Sequence, residues 1–423
     1  MEKHRHKKPR KPRIKKPFGP LYYFAAVAVE CYYRLAYGIN IERQATRKIK
    51  GPILVLANHQ CFLDFMLVAI TMLPRRLNFM VSSFYYKTPF MRGLLGVLQT
   101  IPKDQFSPDI SSIKKSIDCI RGGNALAIFP EGQVTFYGST TDIDPSIAKL
   151  IKKLGATVVG VSIRGHFLCN PKHAQGTGAD RHFGKLEVVT DILATSDEIR
   201  EMSETEIYQR VVKGLSQDDY EWQRQRQVRF RPRRWSCLGL DKVIYYCPSC
   251  HEYFTIKSTK EKVYCENCGY TTTLDRYGFF QCPDGSQPVY DTLSNWYQAQ
   301  RTCLKKDLEQ NRVLPVQCSC HLMTTKKGNY GYMDAGKGRM VLDDEGILYE
   351  GTRFDENISW RIRYAHSPRL THNSPTHSID IPYDRELLSV IPENKRMMIY
   401  IIESYNLARQ RWEEQREKKL DQA

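Results

Sequence analysis

The stretch PILVLANHQCFLDFMLVAITML, residues 52–73, decides the fold of the first half of the chain. Its first seven residues form a short apolar run typical of a buried strand, and residues 62–73 have the apolar spacing of a helix. Polar side chains collect where the two segments meet, and four residues separate His59 from Asp64. The stretch therefore predicts a strand followed by a helix, with a histidine and an aspartate near the turn.

The alternation of strand-like and helical patterns continues as far as residue 216. Apolar strand-like runs occupy residues 77–83, 124–132, 156–165 and 185–193, and helical patterns occupy residues 88–98, 108–123, 144–155 and 203–215. Strands that alternate with helices of this length form a mostly parallel sheet with helices on its faces. The sequence therefore predicts an α/β fold for this part of the chain.

The chain is strongly basic, and much of the excess lies at its start. The formal net charge of the 423 residues is +17, and residues 1–16 hold nine Lys or Arg against one Glu. Such a tail buries little apolar surface, so we expect disorder over residues 1–20. Its charge suits anionic phospholipid headgroups or nucleic acid, or serves solubility alone.

Residues 21–37, LYYFAAVAVECYYRLAY, predict an amphipathic helix. Glu30 and Arg34 are four positions apart and share one face, which leaves the other to apolar side chains. The segment is shorter than the roughly 20 apolar residues of a membrane span. We interpret it as a helix at the membrane surface, with an ordinary core helix as the alternative. No signal-peptide pattern is visible, which predicts membrane association at the cytoplasmic face.

Four of the thirteen cysteines form two CxxC pairs, Cys247 with Cys250 and Cys265 with Cys268. Four thiolates complete a tetrahedral zinc site with no open position, so the pattern predicts a zinc ribbon with a structural metal. The alternative is two surface pairs without metal. Weaker candidates for a second site are Cys282, or Cys318 and Cys320 together with His321.

The rest of the chain predicts a small β-rich domain. Residues 222–235 contain six arginines and resemble a linker or basic surface arm, and residues 338–391 alternate polar and apolar residues as in an antiparallel sheet. Helical patterns cover residues 293–311 and 397–420. The predicted division is a tail at 1–20, an α/β domain at 21–220, a basic linker at 221–240, the ribbon at 241–285 and a β-rich domain with a terminal helix at 286–423.

Four short motifs lie within roughly residues 20–220, of which NHQCFLDF, residues 58–65, and FPEG, residues 129–132, are the most specific. They resemble the N-H-x4-D and F-P-E-G blocks of the lysophospholipid (1-acyl-glycerol-3-phosphate type) acyltransferases. GVLQTIPKD has Lys103 where the family usually has arginine, and VVGVSIRG has Gly160 in place of a proline. No G-x-S-x-G nucleophile motif is found, as expected when the acceptor's own hydroxyl attacks a thioester.

This resemblance implies acyl transfer from acyl-CoA or acyl carrier protein to a lysophospholipid hydroxyl, first of all from 1-acyl-glycerol-3-phosphate to phosphatidic acid. It implies that His59 is the general base and Asp64 its orienting partner. The residues that it places on the substrate side are Asn58, Lys103, Glu131, Gly132 and Gln133. Because Lys103 and Gln133 depart from the family pattern, other lysolipid headgroups stay open as acceptors. A different class of function, nucleic-acid binding or protein docking through the ribbon, is the alternative.

Overall fold

The structure is a computed structural model. The residues that it describes are 14–43, 49–86, 88–104, 109–174, 181–231, 235–325, 332–365, 369–373, 378–383 and 386–421. Most of the predicted basic tail lies outside these residues.

A seven-stranded sheet carries the first half of the chain. Its strands are β1 (Asn40–Glu42), β2 (Ile53–Ala57), β3 (Leu77–Ser82), β4 (Ile101–Lys103), β5 (Ala125–Ile128), β6 (Thr157–Arg164) and β7 (Glu187–Ala194). Their order is β1-β7-β6-β2-β5-β3-β4. All neighbours pair in parallel except β6 and β7, which are antiparallel. The predicted mostly parallel sheet is confirmed.

Helices cover both faces of this sheet. They are α1 (Gly19–Tyr37), α2 (Asp64–Thr71), α3 (Pro89–Val97), α4 (Ile110–Arg121), α5 (Ser146–Leu154), α6 (His166–Cys169), α7 (Ser196–Glu201), α8 (Glu204–Leu215) and α9 (Asp219–Arg226). Ile53 and Val55 of β2 belong to the apolar cluster that contains α1 and α2. Leu54 and Leu56 belong to the one that contains α4, α5 and α8. Alternate side chains of one buried strand therefore serve two cores.

Helix α1 is part of the core on one side and exposed on the other. Tyr22, Ala26, Tyr33 and Tyr37 are buried. Glu30 and Arg34, predicted to share one face, form an ion pair at 2.6 Å, and Glu30 forms a second one with Arg43. The outer face also exposes large apolar side chains, Phe24, Val27 and Leu35 among them. Among the described residues, no helix combines the length and apolarity needed to cross a membrane.

The segment predicted as a basic linker, residues 221–240, is folded against the body in the part that the structure describes. It begins within helix α9, and Trp222, Val228, Phe230 and Trp235 are buried. The prediction was a linker or basic surface arm. The described arginines lie at the surface, but apolar residues placed between them anchor the segment to the core, so it does not act as a linker between separate parts.

The cysteine-rich region forms a small antiparallel sheet in the order β11-β10-β9-β8. Its strands are β8 (Ile256–Ser258), β9 (Val263–Cys265), β10 (Thr271–Leu274) and β11 (Phe280–Gln281). It rests against the C-terminal part, where Arg396 donates hydrogen bonds to the backbone oxygens of Phe254 and Ile256.

The C-terminal part is a seven-stranded antiparallel sheet with two helices, as the alternating pattern predicts. Its elements are α10 (Leu293–Glu309), β12 (Val316–Thr325), β13 (Tyr332–Asp343), β14 (Gly346–Arg353), β15 (Glu356–Arg363), β16 (Thr371–Asn373), β17 (Ser378–Tyr383), β18 (Glu386–Pro392) and α11 (Met397–Asp421). The strand order is β15-β14-β13-β12-β18-β17-β16. Tyr297 of α10 stacks on Tyr137 at 3.9 Å, and Arg301 pairs with Asp142 at 2.6 Å. The C-terminal part is therefore packed directly on the α/β part.

Candidate active site and metal centre

His59 and Asp64 meet at the carboxyl end of β2. Helix α2 begins at Asp64, and the turn before it brings His59 Nδ1 to 2.9 Å from Asp64 Oδ2. The Cys61 N–H donates to the same oxygen at 2.8 Å. The His59 ring stacks on Phe129, with 4.3 Å between ring centroids. Because an ionised carboxylate accepts the Nδ1 hydrogen, Nε2 is the ring atom that can accept a proton.

The two side chains differ in their exposure to solvent. The Asp64 side chain is 0% exposed, whereas the His59 side chain is 17% exposed. Burial raises the pKa of a carboxyl group, but hydrogen bonds from His166 and His59 hold the pKa of Asp64 below its usual range. The site thus presents a partly accessible imidazole backed by a buried carboxylate.

His166 is a third member of this cluster, and the sequence analysis missed it. Its Nδ1 lies 2.6 Å from Asp64 Oδ1, so one carboxylate joins two imidazoles. The Tyr33 hydroxyl of α1 lies 3.5 Å from its Nε2. Burial lowers the pKa of His166, but Cys61 and Asp64 raise it by more, to about 10. A usable signal was present, because His166 follows β6, a parallel neighbour of β2, and both strands end at the same edge.

Glu131 holds the His59 loop in place. Its Oε1 accepts the His59 N–H at 2.6 Å, and its Oε2 accepts the N–H and hydroxyl of Thr141 at 2.6 and 2.7 Å. The residue is buried, which raises the pKa of Glu131 to about 8, although the hydrogen bonds from Thr141 and His59 act in the opposite direction. The prediction placed Glu131 on the substrate side. In the structure its oxygens are taken up by backbone and hydroxyl donors of the chain.

Asn58 also differs from its predicted role. Its side chain is fully buried and pairs with the backbone of Ile163, donating to the carbonyl at 2.9 Å and accepting the N–H at 2.7 Å. Both polar atoms of the amide are used, because the strand pairing of β2 with β6 ends one residue earlier, at Ala57. Asn58 therefore fixes the turn before His59 instead of facing a substrate.

The three other residues predicted on the substrate side have different surroundings. Gly132 has a positive φ of 70° and donates its N–H to the Phe129 carbonyl within the turn. Gln133 lines a small cavity against the C-terminal part, next to Tyr137 and Arg301. Lys103 is the last residue of β4, the outermost strand, and lies at the carboxyl end of the parallel strands, as His59 does. Three strand spacings separate β4 from β2, which is about 14 Å.

The four predicted cysteines come together. The sulfur atoms lie 3.7 Å apart for Cys247 with Cys268 and for Cys250 with Cys265, and all four lie within 4.8 Å of one another. A tetrahedral zinc ion with bonds of about 2.3 Å separates its sulfurs by about 3.8 Å, so this donor set fits zinc. Among the described residues, no second cluster of three or more such ligands is present. The site has four protein ligands and no open position, which suits a structural metal.

The backbone of the two CxxC turns is alike, as in a pair of matched metal-binding loops. The residue after each pair has a positive φ, 64° at His251 and 76° at Gly269. The His251 N–H donates to the Cys247 carbonyl, and the Gly269 N–H donates to the Cys265 carbonyl. His251 itself is not needed as a ligand, since its Nδ1 lies 2.7 Å from the Tyr246 hydroxyl.

Comparisons with known proteins concern the α/β part. Residues 38–164 match the model of the Acyltransferase family. A 1-acyl-sn-glycerol-3-phosphate acyltransferase of Bacillus subtilis (strain 168) is 23% identical over 115 residues, which are 27% of this chain and 58% of that protein. The chain thus spans somewhat over half the length of this curated relative.

A solved structure is also similar, the 1-acyl-sn-glycerophosphate (LPA) acyltransferase PlsC from Thermotoga maritima. It shares 17% identity with a TM-score of 0.37 and covers 46% of this chain and 78% of its own. The cysteine cluster lies outside the family match, whereas His59, Asp64 and Glu131 lie inside it. Residues 38–164, which hold the histidine–carboxylate pair, are therefore the part of the chain that resembles the Acyltransferase family.

Proposed function

We propose that this protein transfers a fatty acyl group from a thioester, acyl-CoA or acyl carrier protein, to the hydroxyl of a lysophospholipid. The acceptor that we assign is 1-acyl-glycerol-3-phosphate, and the product is phosphatidic acid. The observation that carries the proposal is the His59–Asp64 pair within the residues that match the Acyltransferase family, with His59 Nδ1 at 2.9 Å from a buried carboxylate.

The pair supplies a general base at the correct ring atom. Asp64 accepts the Nδ1 hydrogen, so Nε2 of His59 removes the proton from the acceptor hydroxyl. The hydroxyl oxygen then attacks the thioester carbonyl, the new ester C–O bond forms, and the C–S bond breaks. The proton on Nε2 passes to the departing thiolate, which leaves as a thiol. Asp64 stabilises the imidazolium between these two steps.

The remaining groups keep the base in position. Asn58 and Glu131 fix the backbone that leads into His59, and Phe129 supports the ring. Lys103, at the same edge of the sheet, is the basic residue that we assign to the acceptor phosphate. A lysine offers a point charge instead of the planar fork of arginine.

We further propose that the protein works at the cytoplasmic face of a membrane. The basic residues of the chain start and the exposed apolar face of α1 together give two signals, and stable surface attachment usually needs two. The four-cysteine cluster, when it holds zinc, supplies a cross-link for the ribbon and takes no part in the chemistry.

One experiment tests the function directly. The purified protein is assayed with lysophospholipids that differ in headgroup, using both acyl-CoA and acyl carrier protein donors, beside the His59→Ala variant. We expect transfer to 1-acyl-glycerol-3-phosphate by the wild type and a loss of roughly 10² to 10⁴-fold in the variant. Transfer only to a lysophospholipid with another headgroup would show that our assignment of the acceptor is wrong. Equal rates for the wild type and a folded His59→Ala variant would refute the mechanism.

A further inference from the structure

A second concavity lies at the end of α1, away from the histidine pair. It is a cleft of about 680 Å³ whose walls come from the end of α1 and from residues 183–185 and 226–231. Four of its lining residues are basic, namely Lys185, Arg226, Arg229 and Arg231. Three of these belong to the arginine-rich segment that the proposed chemistry does not use.

The arginine-rich wall is held in a fixed conformation. Val228 and Phe230 are buried, so Arg229 and Arg231, which alternate with them, both face solvent. Arg231 exchanges two backbone hydrogen bonds with Phe183, at 2.7 and 2.8 Å. The Gln223 side chain likewise pairs with the backbone of Val228 at 2.7 and 3.0 Å.

The opposite wall of the cleft, at Gly184, lies so close to Phe230 that a larger residue would not fit. A Cβ on Gly184 would meet the Phe230 ring at 2.4 Å. The basic side chains are thus presented by a packed framework, and their spacing does not depend on a flexible arm.

The cleft carries an excess of positive charge. Arg226 is compensated by Glu187, with Nε at 2.9 Å from the carboxylate. Within the part of the chain that the structure describes, Lys185, Arg229 and Arg231 form no ion pair with a carboxylate. Three uncompensated cations around one concavity favour a bound anion, and phosphate groups are the anions that arginine and lysine bind best.

The surroundings of the cleft indicate which class of phosphate-bearing molecule it binds. The outer face of α1 leads to it and exposes Phe24 (76%), Val27 and Leu35 (88%), three to eleven positions apart on the helix. The Phe183 ring lies at the rim, 5.4 Å from the Tyr37 ring. The aliphatic side chains of Val27 and Leu35 gain nothing from nucleic acid, whereas a bilayer takes up apolar side chains beside the basic groups that hold its headgroups.

We propose that this cleft binds the phosphate of an anionic phospholipid headgroup while the outer face of α1 lies in the bilayer surface. The inference rests on the membrane association in the proposed function and adds a defined lipid site outside the active centre. Tyr37 lines the cleft, and Tyr33, one turn earlier, contacts His166. A lipid bound here holds the end of the helix that packs against the catalytic cluster.

The test compares two full-length double variants that each lose two positive charges. Arg229→Gln with Arg231→Gln neutralises the cleft and leaves the backbone pairing with Phe183 in place. The matched control, Lys149→Gln with Lys153→Gln, neutralises two exposed lysines of α5, which packs on the other face of the sheet. Binding is measured by cosedimentation with mixed phosphatidylglycerol–phosphatidylcholine vesicles and with phosphatidylcholine vesicles alone.

We expect the cleft variant to bind mixed vesicles about 30-fold more weakly than the wild type, since each cation near an anionic surface contributes about a factor of five. The control should lose much less, and on phosphatidylcholine alone the cleft variant should equal the wild type. Equal losses in both variants, no loss in the cleft variant, or tighter cleft-dependent binding to duplex RNA or DNA than to vesicles would each overturn the proposal.

A separate readout distinguishes this site from the proposed chemistry. In neutral detergent micelles that contain 1-acyl-glycerol-3-phosphate, the cleft variant should transfer acyl groups at the wild-type rate. If wild type and variant were both inactive there on every lysolipid, the proposed function would fail, and the vesicle comparison would still decide the cleft. If the variant alone lost transfer in micelles, the cleft would belong to the active centre and the proposal would be wrong.

Discussion

His166 and Asp64 form the shorter of the two histidine–aspartate contacts among His59, Asp64 and His166, with 2.6 Å between His166 Nδ1 and Asp64 Oδ1. The other oxygen of Asp64 faces His59. The buried His166 therefore fixes the plane of the carboxylate, and this carboxylate orients the partly exposed His59. His166 does not reach the surface, because its side chain is fully buried. It is therefore a positioning residue, and its loss should be felt through the geometry and charge of Asp64.

Replacing His166 by glutamine should lower turnover while the KM for the acceptor changes little, because the substrate is not touched. It should also destabilise the fold by about 3 to 5 kcal/mol near pH 6.5, as expected when one partner of a buried pair is removed. Turnover, KM and urea unfolding of wild type and variant measure both effects. A variant with wild-type turnover would show that Asp64 needs no second histidine.

The destabilisation should depend on pH in a defined direction. The pKa of His166 is raised to about 10 in the folded state, from about 6.5 in an unfolded chain. The folded state therefore keeps a proton that the unfolded chain loses, and this stability is complete below about pH 6.5 and is lost as the pH rises towards 10. The difference in unfolding free energy between wild type and His166→Gln should shrink over that interval. A constant difference would mean that His166 is neutral throughout.

Asp64→Asn should reduce turnover about as strongly as His59→Ala, although the histidine is still present. An amide is uncharged and has only one oxygen, so it cannot accept the Nδ1 hydrogens of both His59 and His166. The His59 ring then loses the partner that fixes its tautomer and stabilises its imidazolium. The two losses should not add in the double variant, because base and orienter act as one unit. Single-turnover transfer and melting temperature of the three variants test this. Additive losses would separate the two residues.

Glu131→Gln should impair the His59 loop and leave the affinity for the acceptor phosphate nearly unchanged. The amide nitrogen would meet either the His59 N–H or the Thr141 donors, and a buried donor left without an acceptor costs about 1 to 3 kcal/mol. We expect a lower melting temperature and lower turnover with an unchanged KM. A selective rise in the KM for phosphate-bearing acceptors would restore the substrate-side role.

The sequence was sufficient where one local pattern determined the structure. The apolar run at residues 53–57 and the helical pattern after it predicted β2 and α2, and the two CxxC pairs predicted the cysteine cluster. His166 escaped because it is 102 residues from Asp64, and only the order of the strands brings the two together. Asn58 and Glu131 were assigned to the substrate because a sequence does not reveal which backbone groups of a turn need partners.

The arginine-rich segment shows the opposite limit. Six arginines in residues 222–235 dominate its composition and predict a linker or basic surface arm, yet the side chains of Trp222, Val228 and Phe230 are buried in the core. The overall composition of a segment does not show that its basic and apolar residues alternate. Only the packing partners, which come from β7 and the segment before it, show that the segment is anchored.

Deleting residues 1–13 should weaken binding to anionic vesicles without unfolding the protein. The deletion removes seven Lys or Arg and one Glu and leaves α1 intact. A deletion that continues to residue 37 would remove Tyr33 and Tyr37 from the core, so it cannot separate attachment from folding. Cosedimentation at low and high salt, with the melting temperature as control, measures the effect. Unchanged vesicle binding by the shorter deletion would assign attachment to α1 and the cleft alone.

The cysteine cluster should bind one equivalent of zinc and stabilise the ribbon and its neighbours. Cys247→Ser should lose the metal, because four thiolates at these distances match one tetrahedral ion and three leave the site open. Arg396 donates to Phe254 and Ile256 in the ribbon, so the loss should loosen the start of α11 as well and expose it to limited proteolysis.

Cys282→Ser is the matched control, since Cys282 lies just after β11 and outside the cluster. It should keep its zinc and its protease resistance. Turnover per folded molecule should be similar in both variants, because the cysteine cluster lies outside the residues that match the Acyltransferase family. Metal analysis that found no zinc in wild-type protein with free thiols would contradict the site. A metal-free Cys247→Ser variant that resisted proteolysis like the wild type would show that the ribbon folds without it.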